Sequence, residues 1–206
     1  MKSRTIAILI GSILGDGYLS GIVSKKETSS LALKYDSKYL GYLKWLHREL
    51  EELEPSPIKK KKGYHQYQFR TQARQDIGEL RKIFYPTGTK VIPADIANYL
   101  RDPLTLAVWY QDDGCLDYRP KYHANVQLAT HCFKKQECAL LTKSLATNFA
   151  LDARVCSCKM RGKQRYLLYV TSGSMNSFMQ LVEPYIQRCF RYKLIKFRKR
   201  HRQQWR

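Results

Sequence analysis

The chain has 206 residues, enough for one sizeable domain or two small ones, and its 44% hydrophobic content suffices for a packed core. It carries 37 Lys and Arg against 17 Asp and Glu, a formal charge of +20, which exceeds what solubility requires and favours a polyanionic partner such as nucleic acid. No apolar run reaches the roughly 18–20 residues of a membrane-spanning helix, so the composition argues against a membrane protein.

The first half of the chain alternates helix-like and strand-like segments. Its opening apolar run resembles a signal peptide but lacks a small-residue cleavage site and runs directly into Gly15, Asp16 and Gly17. Hydrophobic periodicity and turn residues predict the elements of this half. In chain order they are a helix at 4–14, strands at 17–23 and 30–36, a helix at 37–53 capped by Ser37, a hairpin at 57–72 turning at Gly63, and a helix at 74–85.

The second half repeats this order of elements. It is predicted to contain a helix at 103–111, strands at 115–118 and 125–130, a helix at 134–149, a hairpin at 153–171 and a helix near 175–187. Two copies of one helix–hairpin–helix–hairpin–helix unit are the simplest description. We therefore expect an α+β fold with two halves, residues 1–100 and residues 101–206. The second half ends in a basic tail, 188–206, with nine Lys or Arg and no acid.

The six cysteines favour reduced thiols over disulfides or zinc ligands. They contain no C-x-x-C pair, and Cys156 and Cys158 alternate along a predicted strand. We expect structural thiols in a cytosol-like compartment.

Each half begins with an apolar run that stops at an acidic residue followed by glycine. The runs are LIGSILGDG at 9–17 and LAVWYQDDG at 106–114, and their acids Asp16 and Asp113 lie 97 residues apart. A carboxylate at a helix C-terminus is unfavourable because that end of the macrodipole is negative, so stability alone does not explain the pattern. If the two helices pack side by side, the paired acids form a site for Mg²⁺, which prefers hard oxygen ligands.

Two alternatives remain at this point. Gly11 and Gly15 suit a close helix contact, but glycines next to Asp16 also suit a plain helix end followed by a turn. YQDD at 110–113 also resembles the paired aspartates of reverse transcriptases, although that motif belongs on a hairpin turn. Asp102 and Pro103 indicate a helix start before this run instead.

The two runs resemble the signature helices of the LAGLIDADG homing endonucleases over all nine positions. The resemblance covers nearly the whole chain and is strongest to the single-chain, two-motif, intron-encoded branch. TKVIP at 89–93, IANYLRDPLTLAVW at 96–109 and EPYIQRCFRYKL at 183–194 also match that branch. The sequence departs from the first motif at Val108, which stands where motif one has Gly11, and at Asp112, which stands where it has Gly15.

The resemblance implies an activity and a set of site residues. The protein would be a site-specific double-strand DNA endonuclease that uses Mg²⁺, or Mn²⁺ in its place, and leaves short 3′ overhangs. Asp16 and Asp113 would be the metal-binding catalytic carboxylates, and Lys90 and Lys193 would be catalytic basic residues beside the scissile phosphates that polarise the attacking water or neutralise transition-state charge. Gly15 and Asp112, the residues before the two acids, are further metal candidates.

The resemblance also implies how DNA is bound. Two αββαββα halves would form antiparallel, saddle-shaped sheets over the duplex, with a central parallel pair of LAGLIDADG helices above the minor groove. Gln, Asn, Arg and Lys on the sheets would contact the major groove. These residues are Lys25, Lys34, Gln66, Gln68 and Arg70 in one half, and Asn125, Gln127, Lys159, Arg161 and Arg165 in the other.

The unequal halves predict a monomer with internal pseudo-twofold symmetry and a long, asymmetric target. The protein would act inside the cell where its target genome lies, in a mitochondrion or chloroplast rather than a bacterial or archaeal cytoplasm. The competing function is an RNA maturase that binds its own intron and assists splicing without cutting DNA. Intact acids in both motifs favour cutting, because a pure binder or a transcription factor gains nothing from carboxylates that face phosphates.

Overall fold

A computed structural model describes residues 1–21, 27–119 and 123–196. The first half contains three helices and four strands: α1 (Ser3–Leu14), β1 (Tyr18–Leu19), β2 (Leu31–Asp36), α2 (Leu40–Glu49), β3 (Lys59–Lys60), β4 (Gln66–Arg70) and α3 (Gln75–Phe84). The second half repeats the order: α4 (Pro103–Asp113), β5 (Gly114–Arg119), β6 (His123–Leu128), α5 (Lys135–Phe149), β7 (Ala153–Met160), β8 (Lys163–Val170) and α6 (Met175–Val182). The predicted αββαββα order is confirmed in both halves.

Each half folds its four strands into one antiparallel sheet. The strand orders are β1-β2-β4-β3 and β5-β6-β8-β7, so the two sheets have the same topology. Burial alternates along β2 and along the first part of β5, as expected for sheets with one face in the core and one face exposed. Leu33 and Phe69 pair on the covered face of the first sheet, and Val126 and Val170 pair on that of the second.

The core lies between the covered faces of the sheets and the helices. Helices α2 and α5 pack on the sheets of their own halves, and α6 packs against α4 and β6. Helix α1 is buried at every position from Ala7 to Leu14 because it lies at the centre of the molecule. No helix in the described ranges has the length and apolar content needed to cross a membrane.

Two local predictions about helix starts have different outcomes. Asp102 accepts a hydrogen bond from the Leu104 amide and Pro103 is the first helical residue, so the predicted start of α4 is confirmed. Ser37 does not cap α2 as predicted. The Asp36 side chain accepts from the Lys38 amide instead, and the chain makes a short 3₁₀ turn before α2 begins at Leu40. The extra carboxylate acceptor one residue earlier outcompetes the serine.

Three further expectations concern the chain ends and loops. The Gly63 turn between β3 and β4 is present, with a positive φ of 77° that glycine adopts readily. Lys25 and residues 197–206 of the basic tail lie outside the described residues. The boundary predicted at residue 100 falls between α3 and α4 and stays a prediction.

Candidate active site and nucleic-acid interface

Helices α1 and α4 lie side by side and run in the same direction. The Thr105 hydroxyl donates to the Ala7 carbonyl at 3.0 Å, and further along the pair Gly11 faces Val108. A Cβ atom at position 11 would lie 2.7 Å from both the Thr105 carbonyl and the Val108 Cβ, so only glycine fits. The helices approach closely even though Val108 departs from the small residue of the first motif, because its side chain fills the space that Gly11 leaves.

This packing brings the two motif acids to the same end of the helix pair. Asp16 is exposed and Asp113 is partly buried. Burial raises the pKa of Asp113 to about 7, and the negative charge of Asp16 contributes to the increase. Although Asp16 is exposed at its surface, desolvation by the surrounding protein also raises its pKa, while Lys90 and Lys193 oppose that shift. The two carboxylates are therefore close enough to repel each other, an arrangement that a divalent cation would relieve.

Two lysines flank the acids, one at each helix end. The Lys90 ammonium donates to the carbonyls of Gly15 at 2.9 Å and Gly17 at 3.2 Å. The Lys193 ammonium donates to the backbone carbonyls of Tyr110 at 3.1 Å and Gln111 at 2.6 Å. Lys193 thus contacts carbonyls in the last turn of α4, whereas Lys90 contacts carbonyls just beyond the end of α1. Burial lowers the pKa of Lys193 to about 8 and also lowers that of Lys90, while the acids oppose both shifts.

Asp112 occupies the contact between the helix ends. Its Oδ2 atom accepts from the Asp16 amide at 3.2 Å, and its Oδ1 atom accepts from the Tyr35 hydroxyl at 2.9 Å. A Cβ atom on Gly15 would lie 2.5 Å from Oδ2, so glycine at that position makes room for this carboxyl. Burial and the Asp16 charge raise the pKa of Asp112 well above its usual range. Both Asp112 oxygens thus already accept hydrogen bonds within the protein, so Asp112 would join a metal shell only through their remaining lone pairs.

The donor atoms at this site fit Mg²⁺ or Mn²⁺. Asp16 and Asp113 supply hard carboxylate oxygens, and Mg²⁺ commonly uses one or two carboxylates with water and phosphate oxygens completing its shell. The Gly15 carbonyl accepts from Lys90, so it would join a metal shell only by sharing its second lone pair. The described ranges contain no cluster of three or more His, Cys, Asp or Glu side chains suited to a metal.

The exposed face of the first sheet forms a polar groove that ends at an acid. Lys34 pairs with Gln68 across β2 and β4, and both are exposed. Arg70 and the partly exposed Gln66 lie on the same face. The groove has a volume of about 740 Å³, and Asp16 lines it together with these side chains. The structure therefore brings together the four described residues expected to contact DNA in this half.

In the second half, the residues predicted to contact DNA do not all lie on one face of the sheet. Gln127 and Arg165 lie on the exposed face, both partly exposed. Asn125 points to the same face but is only 3% exposed, which does not fit direct base contact in this state. Lys159 shares the opposite face with Leu168, because it lies an even number of residues from Val155, the partner of Leu168.

Arg161 lies at the tip of the β7–β8 hairpin. It adopts a left-handed conformation with a φ of 50° next to Gly162, which completes the two-residue turn. The side chain is exposed but does not lie on either sheet face.

Sequence reasoning missed several residues on these surfaces. Lys59 is exposed and pairs with Gln68, and Arg154 is exposed on the same face as Gln127, to which it is linked through Tyr169. Strict alternation from Cys156 along β7 would have indicated Arg154. Tyr18 is 50% exposed and lines the groove beside Asp16. Nothing local in the sequence connects Tyr35 with Asp112, from which it is separated by 77 residues.

Comparison with known families gives one match over most of the chain. The model of the LAGLIDADG DNA endonuclease family matches residues 6–178. This range contains most of α1, all of α4, both motif acids and both sheets, whereas Lys193 lies beyond its end.

Two curated relatives cover nearly all of this chain. The cytochrome b mRNA maturase bI2 of Saccharomyces cerevisiae is 28% identical over 94% of this chain and 48% of its own length. The probable intron-encoded endonuclease 1 of Wickerhamomyces canadensis is 29% identical over 91% of this chain and 82% of its own length. The chain therefore spans about half of the first relative and most of the second.

Two solved structures share the fold. The homing endonuclease I-WcaI bound to its DNA recognition sequence superposes with a TM-score of 0.75 and 24% identity, over 95% of this chain and 88% of that one. I-DmoI in complex with DNA and Mn superposes with a TM-score of 0.52 and 16% identity, over 90% of this chain and 99% of that one. The paired halves seen here are therefore those of a homing endonuclease fold.

Proposed function

Since this chain belongs to the LAGLIDADG DNA endonuclease family, we propose that it is a divalent-metal-dependent endonuclease that cuts double-stranded DNA at a specific site. One observation carries the proposal. Asp16 and Asp113 meet at the ends of two paired helices, each flanked by a lysine, between two sheets with exposed polar faces. A site of this kind suits hydrolysis of a phosphodiester bond.

DNA binding rests on charge and on the exposed sheet faces. The formal charge of +20 supports tight, salt-dependent binding to phosphates. Gln68 and Arg70 in the first sheet, and Gln127 and Arg165 in the second, have the donor and acceptor groups that pair with base edges in a major groove. Because the two faces carry different side chains, the target is asymmetric and spans on the order of two helical turns.

Cutting rests on the acids and lysines. Asp16 and Asp113 would hold Mg²⁺ or Mn²⁺, which supplies charge neutralisation and an activated water when bound. Lys90 and Lys193 lie beside the acids and would balance the negative charge that develops at each scissile phosphate. The two halves would thus provide one acid and one lysine for each DNA strand. The expected product is a double-strand break with short 3′ overhangs.

The first experiment is selection of a target from a random duplex library. Duplexes that bind the full chain are recovered, incubated with the protein and Mg²⁺, and sequenced at their ends. We expect staggered breaks at one asymmetric sequence, absent when EDTA replaces Mg²⁺. Tight binding without breaks in either Mg²⁺ or Mn²⁺ would contradict the proposed cutting activity.

A second candidate is an RNA maturase, favoured by the similarity to the cytochrome b mRNA maturase of yeast. In this function the chain binds its own intron RNA and promotes splicing. The test compares splicing of the host intron with and without the wild-type chain, and with Asp16→Asn. Splicing promoted equally by both forms would establish a function independent of the motif acids.

The oligomeric state and the cellular location are proposed on the same basis. We propose an intron-encoded monomer with internal pseudo-twofold symmetry that acts in the organelle containing its target genome. The relatives named for an intron and for the cytochrome b mRNA support this location. Sedimentation of the free protein would test the monomer, and fractionation of source cells would test the location.

A further inference from the structure

The two motif acids differ in backbone conformation, because Asp113 is part of a helix and Asp16 follows the end of one. Helix α4 runs through Asp113, whereas α1 ends at Leu14, two residues before Asp16. At the end of α1, the Gly15 amide donates to the Gly11 carbonyl and the Gly17 amide donates to the Ser12 carbonyl. The Asp16 amide donates to the Asp112 carboxyl instead, at 3.2 Å.

The Asp112 side chain is itself anchored by a hydrogen bond to a residue of the first half of the molecule. Its second oxygen accepts from the hydroxyl of Tyr35, a residue of β2 that is only 5% exposed. The carboxyl also packs against Gly15, where any side chain would clash with it. A continuous line of contacts therefore joins a buried strand through Tyr35 and Asp112 to the backbone of Asp16.

The opposite acid has no equivalent support. The position that corresponds to Asp112 in the first motif is Gly15, which has no side chain to reach the backbone of Asp113. Asp113 is held by its own helix, and its carbonyl accepts from the Ala129 amide at 2.9 Å. The pseudo-twofold symmetry of the fold is thus broken where the two acids are positioned.

We propose that Asp112 is a positioning residue that holds Asp16 through its backbone amide, and that the cleavage of one DNA strand therefore depends on Asp112 more than cleavage of the other. This inference rests on the proposed endonuclease function. Loss of an outer-shell partner typically costs metal sites 10–100-fold in activity, and here that cost falls on one of two sites.

The test measures single-turnover cleavage of the selected duplex with each strand labelled separately, in saturating Mg²⁺. Asp112→Ala removes both hydrogen bonds, and we expect a loss of roughly 10–100-fold on one strand while the other keeps its wild-type rate. Asp112→Asn keeps both contacts, because its amide oxygen can accept from Asp16 and its NH₂ group can donate to the Tyr35 oxygen. We therefore expect Asp112→Asn to restore most of the lost rate.

Tyr35→Phe provides an independent variant if Asp112→Ala does not fold. It removes one anchor of Asp112 and should slow the same strand by a smaller factor. Tyr85→Phe, which also removes a buried hydroxyl, is the matched control and should leave the strand ratio unchanged. Equal slowing of both strands by the folded variants, or no slowing, would overturn the inference. Failure of the wild type to cut either strand would instead overturn the proposed function.

Discussion

The two halves of this molecule share one backbone plan but present different surfaces. Both sheets have the same strand order, yet their matching faces differ. The first exposes Lys34, Gln68 and Arg70, whereas the second has the partly exposed Cys156, Cys158 and Arg165. The motif acid, by contrast, is present once in each half, as Asp16 in the first and Asp113 in the second. The acid-bearing helix ends are thus duplicated while the exposed sheet faces have diverged. Under the proposed function, the two halves would share one catalytic arrangement and read different base sequences.

The largest effect is expected at the lysines shared by both halves. Lys90→Met and Lys193→Met each remove an ammonium that, under the proposed function, would neutralise charge at the phosphates. Each should lower the cleavage rate about 10²–10³-fold without weakening DNA binding to the same degree. Single-turnover cleavage of the selected duplex measures this effect. Lys44→Met, on the exposed surface of α2, is the control. A lysine variant that cuts at the wild-type rate would show that its ammonium serves only the helix end.

At the contact between α1 and α4, the first half has Gly11 and the second half has Val108. Substitutions at this contact test how much the pairing of a small and a larger residue contributes to stability. Gly11→Ala places a Cβ atom 2.7 Å from the Thr105 carbonyl and the Val108 side chain, so it should lower the free energy of unfolding by about 2–3 kcal/mol. Adding Val108→Gly removes the contacts with the Val108 Cβ and Cγ1 but not the backbone clash, so the double variant should lose less than the two single variants combined. Chemical denaturation measures both. Full additivity of the two losses would contradict the described contact.

The divergence of the sheet faces predicts that each half reads its own half-site. Arg70→Ala should relax base preference at one end of the target, and Arg165→Ala at the other, each by about 2 kcal/mol per lost contact. Binding to a library of single-base variants measures the preference. Lys143→Ala, on the exposed side of α5 and away from the exposed sheet face, should leave the preference unchanged. Relaxation at both ends by one arginine variant would contradict the separation of half-sites.

The smallest effect concerns the burial of one acid. Because the pKa of Asp113 is raised to about 7 from a normal value near 4, the folded protein binds its proton more tightly than the unfolded chain does. This lowers stability progressively as the pH rises from about 4 to 7, and the cost is fully present above pH 7. Asp113→Asn removes the cost, so it should raise the free energy of unfolding by about 1–2 kcal/mol at pH 8 and leave it unchanged at pH 4.

Asp76→Asn is the control with the opposite sign. Arg74 lowers the pKa of Asp76 through a hydrogen-bonded ion pair, so this variant should lose stability at pH 8 rather than gain it. Thermal melting without added metal measures both variants. An equal gain for Asp113→Asn at pH 4 and pH 8 would show that burial of the charge is not the cause.

The repeated motif allowed the architecture and the paired acids to be predicted from the sequence. Apolar periodicity located the six helices of the described ranges to within a few residues, and the duplication indicated that Asp16 and Asp113 belong together. These features are encoded in local patterns, which a single sequence retains.

Features that depend on tertiary contacts could not be predicted. The sequence groups Lys159 with the DNA-binding residues, whereas the register of β7 and β8 places it on the opposite face. The low exposure of Asn125 depends on its surroundings rather than on its strand. The link from Tyr35 to Asp112 joins residues of different halves. No local pattern indicates such a contact, since it forms only when the two halves pack together.

The central claim is that Asp16 and Asp113 together carry metal-dependent cutting. The most direct test compares wild type, Asp16→Asn and Asp113→Asn on the selected duplex, with affinity and cleavage measured in parallel in Mg²⁺. The account predicts that both variants fold and bind the duplex at least as tightly as wild type, because a repelling charge is removed, but make no double-strand break. Double-strand cleavage by either folded variant at the wild-type rate would contradict it.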